Sequence, residues 1–238
     1  MEYLYDTHFH LDLQKNRVAA IREIEEHQIY TIAVTNLPDL YRKESGEIAS
    51  KYIRFALGFH PELVHQYKSQ IPLMWDLLPD ARYIGEVGLD FVDITYKNEQ
   101  LAFFSELIER CRYDSNKIIT IHSRKAIRQI LDIIGDNFRF KPILHWFTGS
   151  KEELLNAIEK GFYISINKSM MNTKKFQSML ALIPDERLLL ETDSPFISFP
   201  YSHHETLVKI SLLIKGGKAD VNLWNNFKIV LGLSLIHI

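Results

Sequence analysis

Eight short apolar runs, each followed by a charged segment with helical spacing, recur along the 238 residues. They cover 3–7, 29–35, 53–58, 83–87, 118–121, 142–144, 162–166 and 188–190. The runs are nearly continuous rather than alternating, which is the pattern of strands in a parallel sheet covered on both faces. Between them, pairs such as Ile21 with Ile24, Phe103 with Leu107 and Leu154 with Ile158 repeat at helical spacing. Ser150 with Glu153 predicts a capping box opening one of these helices. Eight such units in a chain of this length predict an α/β fold, a closed TIM-type (β/α)8 barrel forming a single domain over 1–232. An open doubly wound sheet is the alternative, but it would carry a glycine-rich phosphate loop after its first strand. Here the first run leads into Asp6-Thr7-His8-Phe9-His10.

What each run ends on is the second constraint. The first ends at His8 and His10, the third at His60, and the fourth at Glu86 and Asp90. The fifth ends at His122, the sixth at His145 and the eighth at Asp193. A barrel gathers the C-terminal ends of all its strands on one face, where active sites lie, so these distant residues are expected to converge. Polar residues that merely begin loops would favour Asp, Asn, Ser and Gly, whereas five of the ten histidines stand at these places. Imidazole nitrogens and carboxylate oxygens together bind Zn²⁺ or Mn²⁺, and the oxygens bind Mg²⁺. His8, His10, Glu86, His122, His145 and Asp193 are therefore the expected metal ligands. Alternate residues of an extended segment point the same way, so His8 and His10 can reach one ion. Glu86 has two oxygens and can bridge two divalent ions, which at about 3.5–4 Å apart would activate water for in-line attack at phosphorus. Asp193 can bind a metal through one oxygen and take the nucleophile's proton with the other. Gly85 and Gly88 are expected to allow close backbone approach beside Glu86.

Bulk properties narrow the function. A net charge of −2 gives no strongly basic face for gripping duplex DNA, so recognition of nucleic acid would fall to a local site. The single cysteine, Cys111, excludes an internal disulfide framework and a thiolate metal cluster, fits a reducing cytoplasm, and is expected to be a small core residue. The first ten residues have no apolar leader core, and the apolar runs are too short to span a membrane, so neither a secretory leader nor a membrane partner is expected. Residues 233–238, Leu-Ser-Leu-Ile-His-Ile, match the translation of a transposon end used in sequencing libraries. They are expected to be an adapter-encoded tail, and His237 is set aside from the site.

The motifs Asp-Thr-His-Phe-His-Leu-Asp, Gly-Phe-His-Pro-Glu, Gly-Glu-Val-Gly-Leu-Asp, Ile-His-Ser-Arg-Lys-Ala, His-Trp-Phe-Thr-Gly-Ser and Glu-Thr-Asp-Ser-Pro-Phe follow in order across 6–196. Together they resemble the successive motifs of the TatD deoxyribonuclease family, and Asn226-Phe227-Lys228 resembles its C-terminal Asn-Phe-Lys. The resemblance implies a metal-dependent DNase on an amidohydrolase-type barrel, often a 3′ exonuclease, with two divalent ions (Mg²⁺, Mn²⁺ or Zn²⁺) held by the six ligands above. It implies single-stranded DNA or 3′ ends as the partner, His60 near the scissile phosphate, and Arg124 as a phosphate contact. Catalysis would fall to Asp193, Glu86 and His60. Trp146 replaces the usual cysteine, Asn167-Lys168 replaces a common glycine, and the loop after Asp193 lacks the usual basic segment. Trp146, the short loop after Asp193 and Ala-Leu-Gly-Phe-His-Pro-Glu together resemble the TatD-like member of Qat anti-phage systems, which implies other Qat proteins as partners.

The remaining residues have plainer readings. Trp146 or Phe147 could stack a terminal base and Lys168 could reach a phosphate. Lys125 is expected to be a solvated residue of a first helical turn. His27, His65, His203 and His204 are expected in solvent. Asp6 and Asp90 are expected to orient histidines rather than bind metal. Two other functions compete. One is amide or ester hydrolysis on the same barrel, which often uses a carboxylated lysine where this chain has Glu86. The other is a non-catalytic role in a defence complex, which predicts eroded ligands.

Overall fold

In a computed structural model of the chain, all eight predicted strands form in the predicted order. The structure describes residues 3–197, 200–218 and 221–232, so the expected tail at 233–238 lies outside the described residues. The strands are β1 (Tyr5–Phe9), β2 (Tyr30–Val34), β3 (Ile53–Ala56), β4 (Tyr83–Gly88), β5 (Ile118–His122), β6 (Lys141–Leu144), β7 (Tyr163–Ile166) and β8 (Leu188–Leu190). Between and after them run α1 (Arg17–Glu26), α2 (Pro38–Glu47), α3 (Ile71–Leu77), α4 (Lys97–Cys111), α5 (Ile127–Ile134), α6 (Lys151–Glu159), α7 (Lys168–Met171), α8 (Lys174–Leu180), α9 (His203–Gly217) and α10 (Leu223–Val230).

Helix faces follow the apolar spacing. α5 buries Ile127, Ile130, Leu131 and Ile134, and α4 buries Phe103, Phe104, Leu107, Ile108 and Cys111. The predicted capping box is present at α6: Glu153 N–H donates to the Ser150 hydroxyl (3.1 Å), and Ser150 N–H donates to the Glu153 carboxylate (2.7 Å). A second box, Ser202 with Glu205, opens α9.

Parallel pairing joins β1 to β2 to β3, and β4 through β8. Two seams close these arcs into a barrel. At the first, Leu57 pairs with Ile84, and Phe59 N–H donates to the Glu86 carbonyl at 3.0 Å. This seam requires glycine at 58, because a Cβ there would lie 1.6 Å from the Thr35 carbonyl oxygen. At the second, Asp193 N–H donates to the His8 carbonyl and His10 N–H to the Ser194 carbonyl, both at 3.0 Å. The Asp6 carboxylate reinforces it, accepting from the backbone of His8 (3.0 Å) and Thr192 (3.1 Å) and from the Thr192 hydroxyl (2.5 Å).

The N-terminal ends of the strands are sealed by aromatic packing. Phe227 stacks on Tyr5 with ring centres 4.2 Å apart, and Trp224 packs against Tyr30 at 5.4 Å. Asn226 donates to the carbonyls of Asp185 (2.5 Å) and Leu188 (2.8 Å), tying α10 to the start of β8. The Asn-Phe-Lys motif thus closes the floor of the barrel. Among the described residues no helix is long and apolar enough to cross a membrane.

Candidate active site

β1 extends to Phe9, so His8 lies within the strand and His10 just past it. His8 Nε2 and His10 Nε2 face each other at 3.3 Å. Asp193 follows β8, and its Oδ1 lies 3.7 Å from His8 Nε2 and 3.4 Å from His10 Nε2. Glu86 Oε2 completes the group at 3.6 Å and 3.5 Å from the same nitrogens. All four side chains are almost wholly buried.

The other oxygen of Glu86 faces a second group. Oε1 lies 2.7 Å from His122 Nδ1, 3.1 Å from His145 Nε2 and 3.7 Å from His60 Nε2. Gly88, at φ 141°, makes room for this approach of β4 to β5, since a Cβ there would lie 2.0 Å from the His122 carbonyl oxygen. Burial would raise the Glu86 carboxyl, but His60, His122 and His145 outweigh it and hold the group well below the usual carboxylate range. Burial, with His122 and His10 acting in the same direction against Glu86 and Asp90, pushes the His60 imidazole down to about 4.

Carboxylates orient the histidines of this second group. Asp90 Oδ2 lies 2.8 Å from His122 Nε2, as expected of an orienter, and leaves Nδ1 to face Glu86. Glu191 Oε1 lies 3.5 Å from His145 Nδ1 and accepts from Trp146 N–H (3.0 Å) and Asn167 Nδ2 (2.9 Å). Burial would lower the His145 imidazole, but Glu191 and Glu86 hold it well above its ordinary value. Glu191 is fully buried and is the residue that sequence reasoning missed. Its place in Glu-Thr-Asp, two positions from Asp193, was the available signal. Backbone strain marks the same places: Asp193 (φ 52°) and Trp146 (φ 39°) adopt left-handed conformations that favour glycine.

A cavity of about 750 Å³ opens over both groups. Arg124, His60 and Trp146 line it, together with Lys125, Asn36, Ser123 and Phe196, which sequence reasoning did not assign to substrate. Lys168 does not line it. Its ammonium lies 5.9 Å from the centre of the Tyr201 ring, because Asn167 caps α7 through Met170 N–H and carries Lys168 into that helix. Phe147 is also unavailable, being 2 % exposed. Lys125 precedes α5, at φ 57°, rather than sitting in its first turn.

The other histidines depart in part from expectation. The His203 side chain is largely shielded rather than solvated: its Nε2 lies 2.9 Å from Asp6 Oδ2, and its ring stacks on Phe9 at 4.5 Å. Asp6 therefore orients His203 and the backbone of the seam, not a ligand imidazole. His65 stacks on Tyr96 at 3.6 Å, while exposed His27 meets half-buried His204 at 4.1 Å.

The donor set fits divalent metal. Donor atoms of His8, His10 and Asp193 all lie within 4.8 Å of one another, as do those of His60, Glu86 and His122. Asp193 Oδ1 is buried with no hydrogen-bond partner, which is costly unless a ligand satisfies it. Two imidazole nitrogens facing each other across 3.3 Å beside two carboxylates likewise suit a shared cation.

Known proteins resemble this chain in sequence and in fold. The model of the TatD-related DNase family matches residues 5–210. An uncharacterized metal-dependent hydrolase of Methanocaldococcus jannaschii is 30 % identical over 204 residues, covering 81 % of this chain and 79 % of the relative. The 3′-5′ ssDNA/RNA exonuclease TatD of Citrobacter koseri is 31 % identical over 150 residues, covering 59 % and 57 %. The crystal structure of YjjV, a TatD homologue from Escherichia coli, superposes with a TM-score of 0.75 over 97 % of this chain and 98 % of that one, at 18 % identity. That likeness bears on the fold.

Proposed function

The chain belongs to the family of TatD-related DNases, and from that premise we propose that it is a metal-dependent phosphodiester hydrolase that trims single-stranded DNA from its 3′ end. One observation carries the reading. Glu86 presents Oε2 to His8, His10 and Asp193, and Oε1 to His122 and His145, so a single carboxylate joins two donor sets. In this reading His8, His10 and Asp193 would hold one divalent ion and His122 and His145 a second, with Glu86 contributing an oxygen to each set. Such a pair lowers the pKa of a bound water and neutralises both oxygens of an in-line displacement.

The chain's own residues supply the rest. Asp193, whose Oδ1 faces His8 and His10, would help to hold a metal through that oxygen, and its other oxygen would accept the proton of the attacking water. His60, at the cavity wall and held neutral by burial, donates a hydrogen bond to the scissile phosphate. Arg124 contacts a flanking phosphate. Trp146, fixed by its N–H bond to Glu191, offers an aromatic surface to a base. The name of the Citrobacter relative supports single strands as substrate, and the cavity falls within the range typical of ligand sites. The identity of the two ions is open among Mg²⁺, Mn²⁺ and Zn²⁺.

The test is metal analysis of the purified protein joined to a nuclease assay on 3′-labelled single-stranded DNA and RNA with each ion. Two equivalents of metal per chain, stepwise shortening from the 3′ end, and loss of activity on chelation that metal restores are the expected results. Failure to cleave either substrate with any of the three ions overturns the reading.

A further inference from the structure

We propose that Phe196 is the platform for an unpaired nucleobase next to the scissile phosphate, which would make the enzyme read the presence of a base without reading its identity. This rests on the nuclease reading above and adds a subsite to it.

Phe196 lines the cavity and is 60 % exposed, although its neighbour Ile197 is buried. An isolated exposed aromatic would mean little. Phe196 is different because its place is fixed. Its ring stands edge-to-face against His10, with centres 5.0 Å apart and planes at 85°. The segment carrying it is held on both sides: Ile197 N–H donates to the Asp193 carbonyl (3.2 Å), and His10 N–H donates to the Ser194 carbonyl (3.0 Å). The side-chain amide of Gln14 adds a further tie, its Nε2 donating to the Ser194 hydroxyl at 3.3 Å. The backbone around Phe196 is thus tied down on both sides, and its ring rests against one of the metal-site imidazoles.

A T-shaped contact uses the edge of one ring and one face of the other. Whichever ring supplies the edge, at least one face of Phe196 stays free, and the exposure agrees. His10 is 1 % exposed and cannot itself stack a ligand. The remaining lining sorts by chemistry: Arg124 and Lys125 bring positive charge to the same cavity, and Trp146 brings a second aromatic ring. Aromatic platforms beside cationic groups are how sequence-tolerant single-strand binders work, since every base has a π-face while its edges go unread. A base stacked on Phe196 has left its duplex partner, so single strands and frayed ends are accepted over blunt duplex.

The experiment compares kcat/KM for a single-stranded oligonucleotide with that for versions lacking the base of the last or the penultimate nucleotide. In wild type, removing the base at one of these positions should slow cleavage about tenfold. Phe196→Ala should bring that ratio close to one, and Phe196→Trp should restore it. A ratio left unchanged by Phe196→Ala, whatever happens to the absolute rates, assigns Phe196 to propping His10 and overturns the inference. A wild-type enzyme indifferent to both base deletions overturns it as well, while leaving the nuclease reading intact. Absence of cleavage of all three substrates removes both.

Discussion

At the N-terminal end of the strands, the buried ammonium of Lys117 donates to three carbonyls, those of Leu78 (2.8 Å), Pro79 (2.9 Å) and Ala81 (2.7 Å). At the C-terminal end, His8 Nδ1, His10 Nδ1, Asn36 Oδ1, Glu191 Oε2 and Asp193 Oδ1 are buried with no hydrogen-bond partner. A buried polar atom left unpaired costs stability, so such atoms normally find partners. Lys117 obeys that rule at the floor, and the mouth breaks it at the residues of the candidate metal site. The difference teaches where to look for ligands: one end of the same strands holds the fold together, and the other keeps its donors for something else.

Substitutions at the two ends should therefore separate activity from stability. Asp193→Asn is expected to lower hydrolysis by roughly 10²–10⁴-fold, the range for losing a positioned proton acceptor. It should not lower the melting temperature of the metal-free protein, because it removes a buried charge and preserves shape. Nuclease assays and thermal melts measure the two sides. A marked loss of stability would mean that the mouth, too, is built for the fold. Phe227→Ala at the floor should do the reverse, costing about 3–5 kcal/mol in chemical denaturation, as expected for a buried aromatic truncated against its neighbours. The rate per folded molecule should stay at the wild-type value.

The mouth itself divides. His122 Nε2 is hydrogen-bonded to Asp90 and His145 Nδ1 lies 3.5 Å from Glu191, whereas among the described residues no carboxylate is paired with Nδ1 of His8 or His10. Asp90→Asn and Glu191→Gln should each weaken binding of one of two metal equivalents by about 10–100-fold, the usual effect of losing the group that orients a ligand. Calorimetric titration should show the other equivalent unchanged. Equal weakening of both would mean that the two positions share one support.

The sequence makes this division only half legible. Continuous apolar runs announce the strands, and a parallel barrel brings their C-terminal ends together whatever their separation in the chain, so the sequence alone puts His8 and Asp193 on one face. Glu191 could not be placed, because its role depends on Trp146 N–H and Asn167, which β6 and β7 bring alongside. His203 looked like a loop residue because its partner, Asp6, lies at the other end of the chain and reaches it only once the seam between β1 and β8 has closed. Lys168 was misplaced for a local reason: Asn167 turns the chain into α7 at once. Strand patterns foretell which end of a strand a residue occupies. They do not foretell what a neighbouring strand hands to it.

The smallest effect expected at the mouth belongs to Arg124, and its form matters more than its size. Arg124 is exposed at the cavity rim, and the hydrogen bond that it gives to the turn runs through its backbone carbonyl, which accepts from Phe91 N–H at 3.0 Å and survives a change of side chain. An exposed guanidinium that meets a phosphate displaces about one counterion, which appears as dependence on salt. Arg124→Ala should raise KM several-fold at low ionic strength, with little change in kcat, and should reduce the slope of log(kcat/KM) against log[salt] by about one. The melting temperature should stay put, since no buried partner is left unpaired. If KM rises but the salt slope is unaltered, Arg124 acts by shaping the cavity next to Asp90, whose carboxyl feels its charge, and the phosphate contact must come from Lys125 instead.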